Sequence, residues 1–459
     1  MGGIGLIDLR SLVLHLTLIC AGFLFSQEAR AQSVIFVDIN AIGPTHDGSS
    51  WCSAYTSLTA AISSAVTGDE IRVADGLYKP GVVRTSTFLL TQDGVTLLGG
   101  FAGCGEPIPD DRHTRLHETI LSCDINGDDL PGFINNGENC YHVLNASFRD
   151  LSTVIDGFTI TGGNANIPPP GTDDRGGGII NKNPFPPAIN GPTIRNCIIR
   201  GNSALDKGGG MYNDMHNVQL TNCLVVGNRA IFAGGIDNFD AFPKLTNCTI
   251  AYNNADGESY SQVGGMRDSG ISISTMKNCI LWGNIDRGGM DESAQFVSGG
   301  IIPPPLSHTT IQGFSTRFFD GTGVNGVDPQ FIDPFGIDGV PGTDDDDWRL
   351  ASTSPAINTG DPAFDSPIGA DIDLDFGPRV QSCRVDRGPF ESAKLQLAND
   401  YNADESIDLI DYADFQRCFA TSSSASPTEA VCLCVFDSNE DAEISLIDYI
   451  NLSVSVTGP

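Results

Sequence analysis

Four times between residues 190 and 290 the chain arranges apolar residues around an asparagine in the same way. NCIIRGNSA starts at Asn196, NCLVVGNRA at Asn222, NCTIAYNNA at Asn247 and NCILWGN at Asn278, at spacings of 26, 25 and 31 residues. Two places before each asparagine stands Ile194, Leu220, Leu245 or Met276. One place after it stands Cys197, Cys223, Cys248 or Cys279, and three places after it Ile199, Val225, Ile250 or Leu281. Strand positions two apart share a face, so the residues after the asparagine point one way together. The residue before it has the wrong parity to join them in a straight strand. The chain therefore bends at the asparagine, a residue that tolerates left-handed backbone. A second asparagine (Asn202, Asn228, Asn253, Asn284) predicts a second corner, and glycine pairs in GGGIIN, GGGMYN, AGGIDN and VGGMRD predict a third. Short strands and several corners within about 25 residues predict a coil of stacked parallel strands. Helical repeats would show period 3.6 instead. Like residues in such a coil stack ~4.8 Å apart, farther than the ~3.8 Å between the Cβ atoms of a disulfide. The four repeat cysteines are therefore expected to be small buried hydrophobes.

These units resemble the right-handed parallel β-helix repeats of the pectin-lyase-like superfamily. The FxxN and GGA[ILV] pairs of the polymorphic outer-membrane protein family are close in form to Ile199-Arg-Gly-Asn202 followed by Gly209-Gly210-Met211. The resemblance implies a mainly β chain, a right-handed parallel β-helix over residues 32–394, with clear repeats over about 155–314. Before them, VIFVD reads as a first strand. Asp47 or Ser49 can cap a following helix, and Trp51, Tyr55, Leu58, Ala61 and Ile62 make one apolar stripe. This predicts a helix over about 50–66 that covers the first rung. At the far end, Arg379, Val385, Asp386, Gly388, Phe390 and Glu391 fill an R-x-x-x-x-VD-x-G-x-[YF]-E stretch. That stretch resembles the closing region of choice-of-anchor β-helix proteins, which implies that a sorting or anchoring module follows.

The tail carries such a candidate twice. DYNADESIDLID spans residues 400–411 and DSNEDAEISLID residues 437–448. A calcium loop places hard oxygen ligands at positions 1, 3, 5, 7, 9 and 12. The first copy supplies Asp400, Asn402, Asp404, the Ser406 carbonyl, Asp408 and Asp411. The second supplies Asp437, Asn439, Asp441, the Glu443 carbonyl, Ser445 and Asp448. Position 8 is Ile407 or Ile444, an apolar residue able to pack the two loops together. Leu409, Tyr412, Phe415 or Gln416, and Phe419 follow at helical spacing. After the second loop Ile450, Leu452, Val454 and Val456 alternate, which suits a strand or an irregular end. Paired loops leading into a helix, with Asp at position 12, resemble the dockerin module, a small α-helical EF-hand-like domain over residues 395–459. The departure is at position 6, where Glu405 and Ala442 replace the usual glycine. A left-handed residue with a side chain costs ~1–2 kcal/mol there. Cys418 with Cys432 or Cys434 is expected to bridge the pair.

Charge and the N-terminus narrow the function. The formal net charge is −32, which excludes a nucleic-acid partner, because phosphate contacts need a basic face. Residues 1–31 read as a secretory signal: Arg10, the apolar run LVLHLTLICAGFLF, and Ala29-Arg30-Ala31 before Gln32. That run is short for a membrane span, and no other segment approaches one. The chain is therefore expected outside the cell or on its surface, where disulfides form. DINGDD at 124 and GTDDDD at 342 read as solvated turns that could also hold calcium. Asp173, Asp174, Asp237 and Asp240 lie beside the repeats with Arg175 and Lys207, but in no motif that assigns a catalytic residue. The expected function is a β-helix scaffold for binding or adhesion, to carbohydrate or a surface protein, with a calcium-dependent docking tail whose partner is cohesin-like or a sorting factor. The alternative, from fold-level analogy, is a polysaccharide lyase or glycoside hydrolase.

Overall fold

The computed structural model describes residues 32–168, 173–183, 185–257, 262–299, 303–315, 321–362, 371–394, 396–421, 427–438 and 444–455. The expected signal segment over residues 1–31 lies outside them.

Three parallel sheets and a narrow fourth wind into one coil. One rung shows how the sequence does this. His216–Thr221 runs along the first sheet, Asn222 turns the chain at φ +52°, and Leu224–Val226 runs along the second. Arg229–Ala230 crosses the narrow sheet, the glycine pair Gly234-Gly235 follows, and Ile236–Phe239 runs along the third. The next rung begins at Lys244 and pairs in parallel with this one. Among the described residues the first sheet has ten strands, the second eight and the third seven. The fold is thus mainly β, a parallel β-helix, with its longer helices near the C-terminus.

The predicted columns are the core. Ile194, Leu220, Leu245, Met276 and Leu306 are register partners on the first sheet. Ile199, Val225, Ile250, Leu281 and Ile311 are partners on the second. Both columns meet inside one apolar cluster with Cys197, Cys223, Cys248 and Cys279, whose thiols are free. The four corner asparagines all sit at φ between +51° and +55°. Their amides form a ladder, each donating to the oxygen of the previous one at 3.1–3.3 Å. Asn202, Asn228, Asn253 and Asn284 form a second ladder, ending on Gln295. Glycine is required where the corner meets this ladder: a Cβ on Gly235 would lie 2.5 Å from the Gly265 carbonyl oxygen.

The start of the coil differs from expectation. In place of one helix over about 50–66 there is a 3-10 turn, Trp51–Ser53, and a separate helix α1, Leu58–Ser64. Ser50 and Ser57 cap them, not Asp47 or Ser49. The break arises because Trp51 and Leu58 enter different clusters: Trp51 packs on Phe101 and Ala74, whereas Leu58, Ala61 and Ile62 join the coil core. Cys52–Cys104 fastens the 3-10 turn to the coil. A one-turn helix α2, Glu292–Gln295, lies in the later rungs.

The closing region is a strap on the outer face of the second sheet. Trp348, Leu374 and Phe390 pack on Leu224, Val226 and Ala251 of two successive rungs. The stretch matched at sequence level is the clasp of this strap. Arg379 is fully buried, 3.1 Å from Glu391, and donates to the Asp386 and Gly388 carbonyls at 2.8 Å each. Gly388, at φ +88°, donates to the Asn278 carbonyl, and a Cβ there would lie 2.8 Å from Thr249 Oγ1.

Three helices follow: α3, Leu409–Thr421; α4, Pro427–Phe436; α5, Leu446–Ser455. Ile450, Leu452 and Val454 therefore belong to a helix, not to a strand or an irregular end, while Val456 lies outside the described residues. The reason is local: Ser445 caps α5, and Asp448 accepts from the Ser445 N–H and hydroxyl, an S-x-x-D box. Leu452 is buried, while Val454 is exposed. In α3 the buried face is Asp411, Phe415 and Cys418, whereas Leu409 and Phe419 are exposed.

Candidate functional site

The two tail loops share one wiring. In the first, Asp411 Oδ1 accepts from the N–H of Tyr401 at 2.7 Å, and Oδ2 from that of Asp408 at 2.9 Å. In the second, Asp448 Oδ1 accepts from Ser438 at 2.9 Å, and Oδ2 from Ser445 at 2.8 Å. These are positions 12, 2 and 9 in both copies. Asp400 accepts the N–H groups of Asp404 and Glu405, at 3.1 and 2.9 Å. Asp404 and Asp408 each accept the N–H two residues on, while Asn402 Nδ2 donates to Asp404. Glu405 is left-handed, φ +68°, as position 6 demands. Asn439, Asp441 and Glu443 lie outside the described residues.

The first loop's donor set suits a hard cation. Asp400 and Asp411 are both buried. Burial pushes the Asp400 carboxyl above its ordinary range, and the Asp411 charge adds to this. Two like charges withdrawn from water favour a bound cation, and an all-oxygen set of this spacing matches calcium. In the second loop burial raises Asp448, but donors from Ser445 and Ser438 outweigh it and hold the group below its ordinary range. Ile444 is buried in the tail's apolar cluster and Ile407 packs against it, beside Phe415, Phe436 and Leu452. Tyr412 and Phe415 of α3 each lie 6.0 Å from the Tyr449 ring of α5.

One disulfide lies within the tail and another joins it to the strap. Cys418 pairs with Cys432. Cys434 pairs with Cys383, which lies within the clasp sequence. Arg384 donates to the Tyr401 carbonyl at 3.2 Å, and Lys394 pairs with Glu405.

Of the carboxylates beside the repeats Asp237 stands on the third sheet, and all four are engaged within the fold. Asp237 is completely buried and takes Arg267 Nε at 2.6 Å; burial pushes it up and Arg267 pulls it back. Arg175 Nε reaches Asp206 at 2.8 Å and Asp174 at 3.5 Å, and its Nη1 donates to the Tyr212 hydroxyl at 3.3 Å. Lys207 Nζ lies 5.8 Å from the Phe239 ring centroid. Asp173 is 3.5 Å from His142, and Asp240 accepts from the Ile271 N–H at 2.9 Å. Tyr212, Asp237 and Arg267 are direct register partners, a row that sequence spacing alone did not reveal.

A cleft of about 500 Å³ opens on the outer face of the second sheet. Asp129, Leu130, Phe133 and Asn136 form one wall, Asp338, Pro341, Asp344 and Asp345 the other, and Leu77 and Arg200 lie between. Arg200 pairs with Asp344 across it. The first wall belongs to the loop closed by Cys123–Cys140, and the second to the strap. Asp129 of DINGDD and Asp344 and Asp345 of GTDDDD thus face one cleft, although they lie about 200 residues apart in sequence.

No family model matches the chain, and no curated protein matches it. Among solved structures it is similar to the crystal structure of pectate lyase Pel9A, at 15% identity and a TM-score of 0.39, over 78% of this chain and 96% of that one.

Proposed function

We propose that the protein is an extracellular β-helix scaffold whose tail binds calcium and docks it to a surface partner. The observation that carries this reading is a duplicated apolar pair at positions 10 and 11 of each loop. Leu409 and Ile410 are 77% and 56% exposed, and Leu446 and Ile447 are 69% and 53% exposed. Large aliphatic side chains held in water at equivalent positions of a duplicated module are unsuited to a solvated surface and suited to a contact. Four disulfides support an oxidising compartment. The cleft, with apolar Leu77, Leu130 and Phe133 between carboxylates, has the mixed lining that suits a carbohydrate ligand.

Calcium titration of the full chain by calorimetry, with thermal melting followed by circular dichroism, tests the tail. The expected result is bound calcium and a higher melting temperature for the helical signal, reversed by EDTA. Helical melting indifferent to EDTA would sink the calcium reading. Incubation with a polysaccharide panel is expected to show retention without release of reducing ends or unsaturated products. Product release would replace the scaffold by a lyase or hydrolase.

A further inference from the structure

We propose that the cleft on the second sheet takes a glycan carrying free amines, held through its ammonium groups by the two acidic walls and through its ring faces by the apolar floor. The inference rests on the reading of this cleft as a carbohydrate site and adds the charge class of the ligand.

The floor is built by four neighbouring strands of the second sheet. Gly76–Tyr78 supplies Leu77, Thr119–Ser122 supplies Ile120, Thr159–Thr161 supplies Thr161, and Ile198–Arg200 supplies Arg200. Strands lie ~4.8 Å apart, so the floor runs for roughly 14 Å, room for a short oligosaccharide. Leu77 and Leu130 are 46% and 55% exposed, and Phe133 and Pro341 stand on opposite walls. Such surfaces suit the apolar faces of sugar rings. Both walls are fixed before a ligand arrives. Cys123–Cys140 closes the loop of the first. The second is pressed onto the sheet, where a Cβ on Gly227 would lie 2.3 Å from the Pro341 carbonyl oxygen. Walls held in advance lose little freedom on binding.

Charge selects among glycans. Four carboxylates line the cleft, Asp129, Asp338, Asp344 and Asp345, against one guanidinium, Arg200. Arg200 is already paired with Asp344. A smaller pocket of about 150 Å³ continues past Arg200, Thr343 and Asp344. Its other two arginines are also matched: Arg349 lies 2.5 Å from Asp347, and Arg115 3.5 Å from Asp375. Among the described residues, an acidic ligand would meet no unmatched cation here. It would also approach a chain of net charge −32, whose field repels it and draws a cation. Ammonium groups between the walls gain charged hydrogen bonds to carboxylates, the stronger kind. A basic peptide shares the charge, but a peptide that binds extended adds to an open strand edge. Here Thr119–Ser122, Thr159–Thr161 and Ile198–Arg200 are each paired on both sides, and only their face is on offer.

The test is calorimetric titration of the full chain at pH ~6, above the carboxylate range. The probes are a glucosamine oligomer, its N-acetylated counterpart and a galacturonate oligomer of equal length. The glucosamine oligomer is expected to bind roughly tenfold tighter or more than the other two, and to weaken as salt is raised. Asp338 and Asp344 are exposed. Asp338→Asn with Asp344→Asn is expected to cost this ligand about tenfold, the loss of one charged hydrogen bond, with the circular dichroism spectrum unchanged. The galacturonate oligomer should gain in the same variant, since Arg200 is released. If the variant loses its spectrum, the parent decides: glucosamine binding indifferent to salt overturns the proposal. Equal affinity for the N-acetylated oligomer overturns the charge class and leaves the carbohydrate reading standing. So does tighter binding of galacturonate, with or without calcium. A lysine oligopeptide bound as tightly as the glucosamine oligomer overturns the glycan. Binding of none of the three oligosaccharides overturns the carbohydrate reading as well.

Discussion

At the scale of single residues, buried polar groups carry the specificity of the coil. Asp268 shows how. It accepts from Asn238 Nδ2, the Ser274 N–H and the Ser274 hydroxyl, at 2.9, 2.7 and 2.7 Å. Burial still dominates, and pushes the carboxyl up to about 6 against those hydrogen bonds. An unfolded aspartate titrates near ~3.9. The folded state therefore binds the proton more tightly. The stability this group contributes is full below pH ~4 and is lost as pH rises through about 6, an effect of roughly 3 kcal/mol at one pKa unit per 1.36 kcal/mol. Asp268→Asn removes the titration. Its stability relative to the parent should rise between pH 4 and 6 and then level off, as read by urea unfolding at several pH values. A difference that does not vary with pH would refute this account.

At the scale of elements, the ladders do what strands of three residues cannot do alone. Asn228 Nδ2 donates to the Ile199 carbonyl and to Asn253 Oδ1, and its own Oδ1 accepts from the backbone and amide of Asn202. Asn228→Ala would leave these partners unsatisfied inside the coil, where each costs about 1–3 kcal/mol. The expected loss is about 3 kcal/mol or more in denaturant unfolding, larger than for the half-buried Asn217, which accepts the Phe242 N–H. The columns and corners were legible from the sequence because each repeat restates them. The split of the capping helix was not, since it depends on which cluster Trp51 enters. The S-x-x-D box of α5 was present to be read, but was hidden under an apolar alternation of period two.

At the scale of the whole molecule, the tail is fastened to the strap rather than hung from a linker. Cys383–Cys434 and the contacts of Arg384 and Lys394 tie the loop–helix pair to the region that closes the coil. A segment starting at residue 395 would leave Cys434 without its partner. Replacing Cys383 and Cys434 by serine is expected to separate the melting of the tail from that of the coil, giving two calorimetric transitions where the parent gives one. A single transition in both proteins would show that the noncovalent contacts suffice.

By itself the sequence determined the repeat, its corners, the buried cysteine columns and the twofold loop pattern of the tail. Each is written locally, as parity, spacing or a turn residue, and a stacked coil turns local pattern directly into neighbouring rungs. The tertiary structure alone decided where distant segments meet. It placed Asp129 opposite Asp344 and Asp345, laid the strap over the second sheet, paired Cys434 with Cys383, and engaged Asp237 with Arg267. Such contacts join residues of no fixed spacing. Charge, burial and chain closure select them only once the coil has formed.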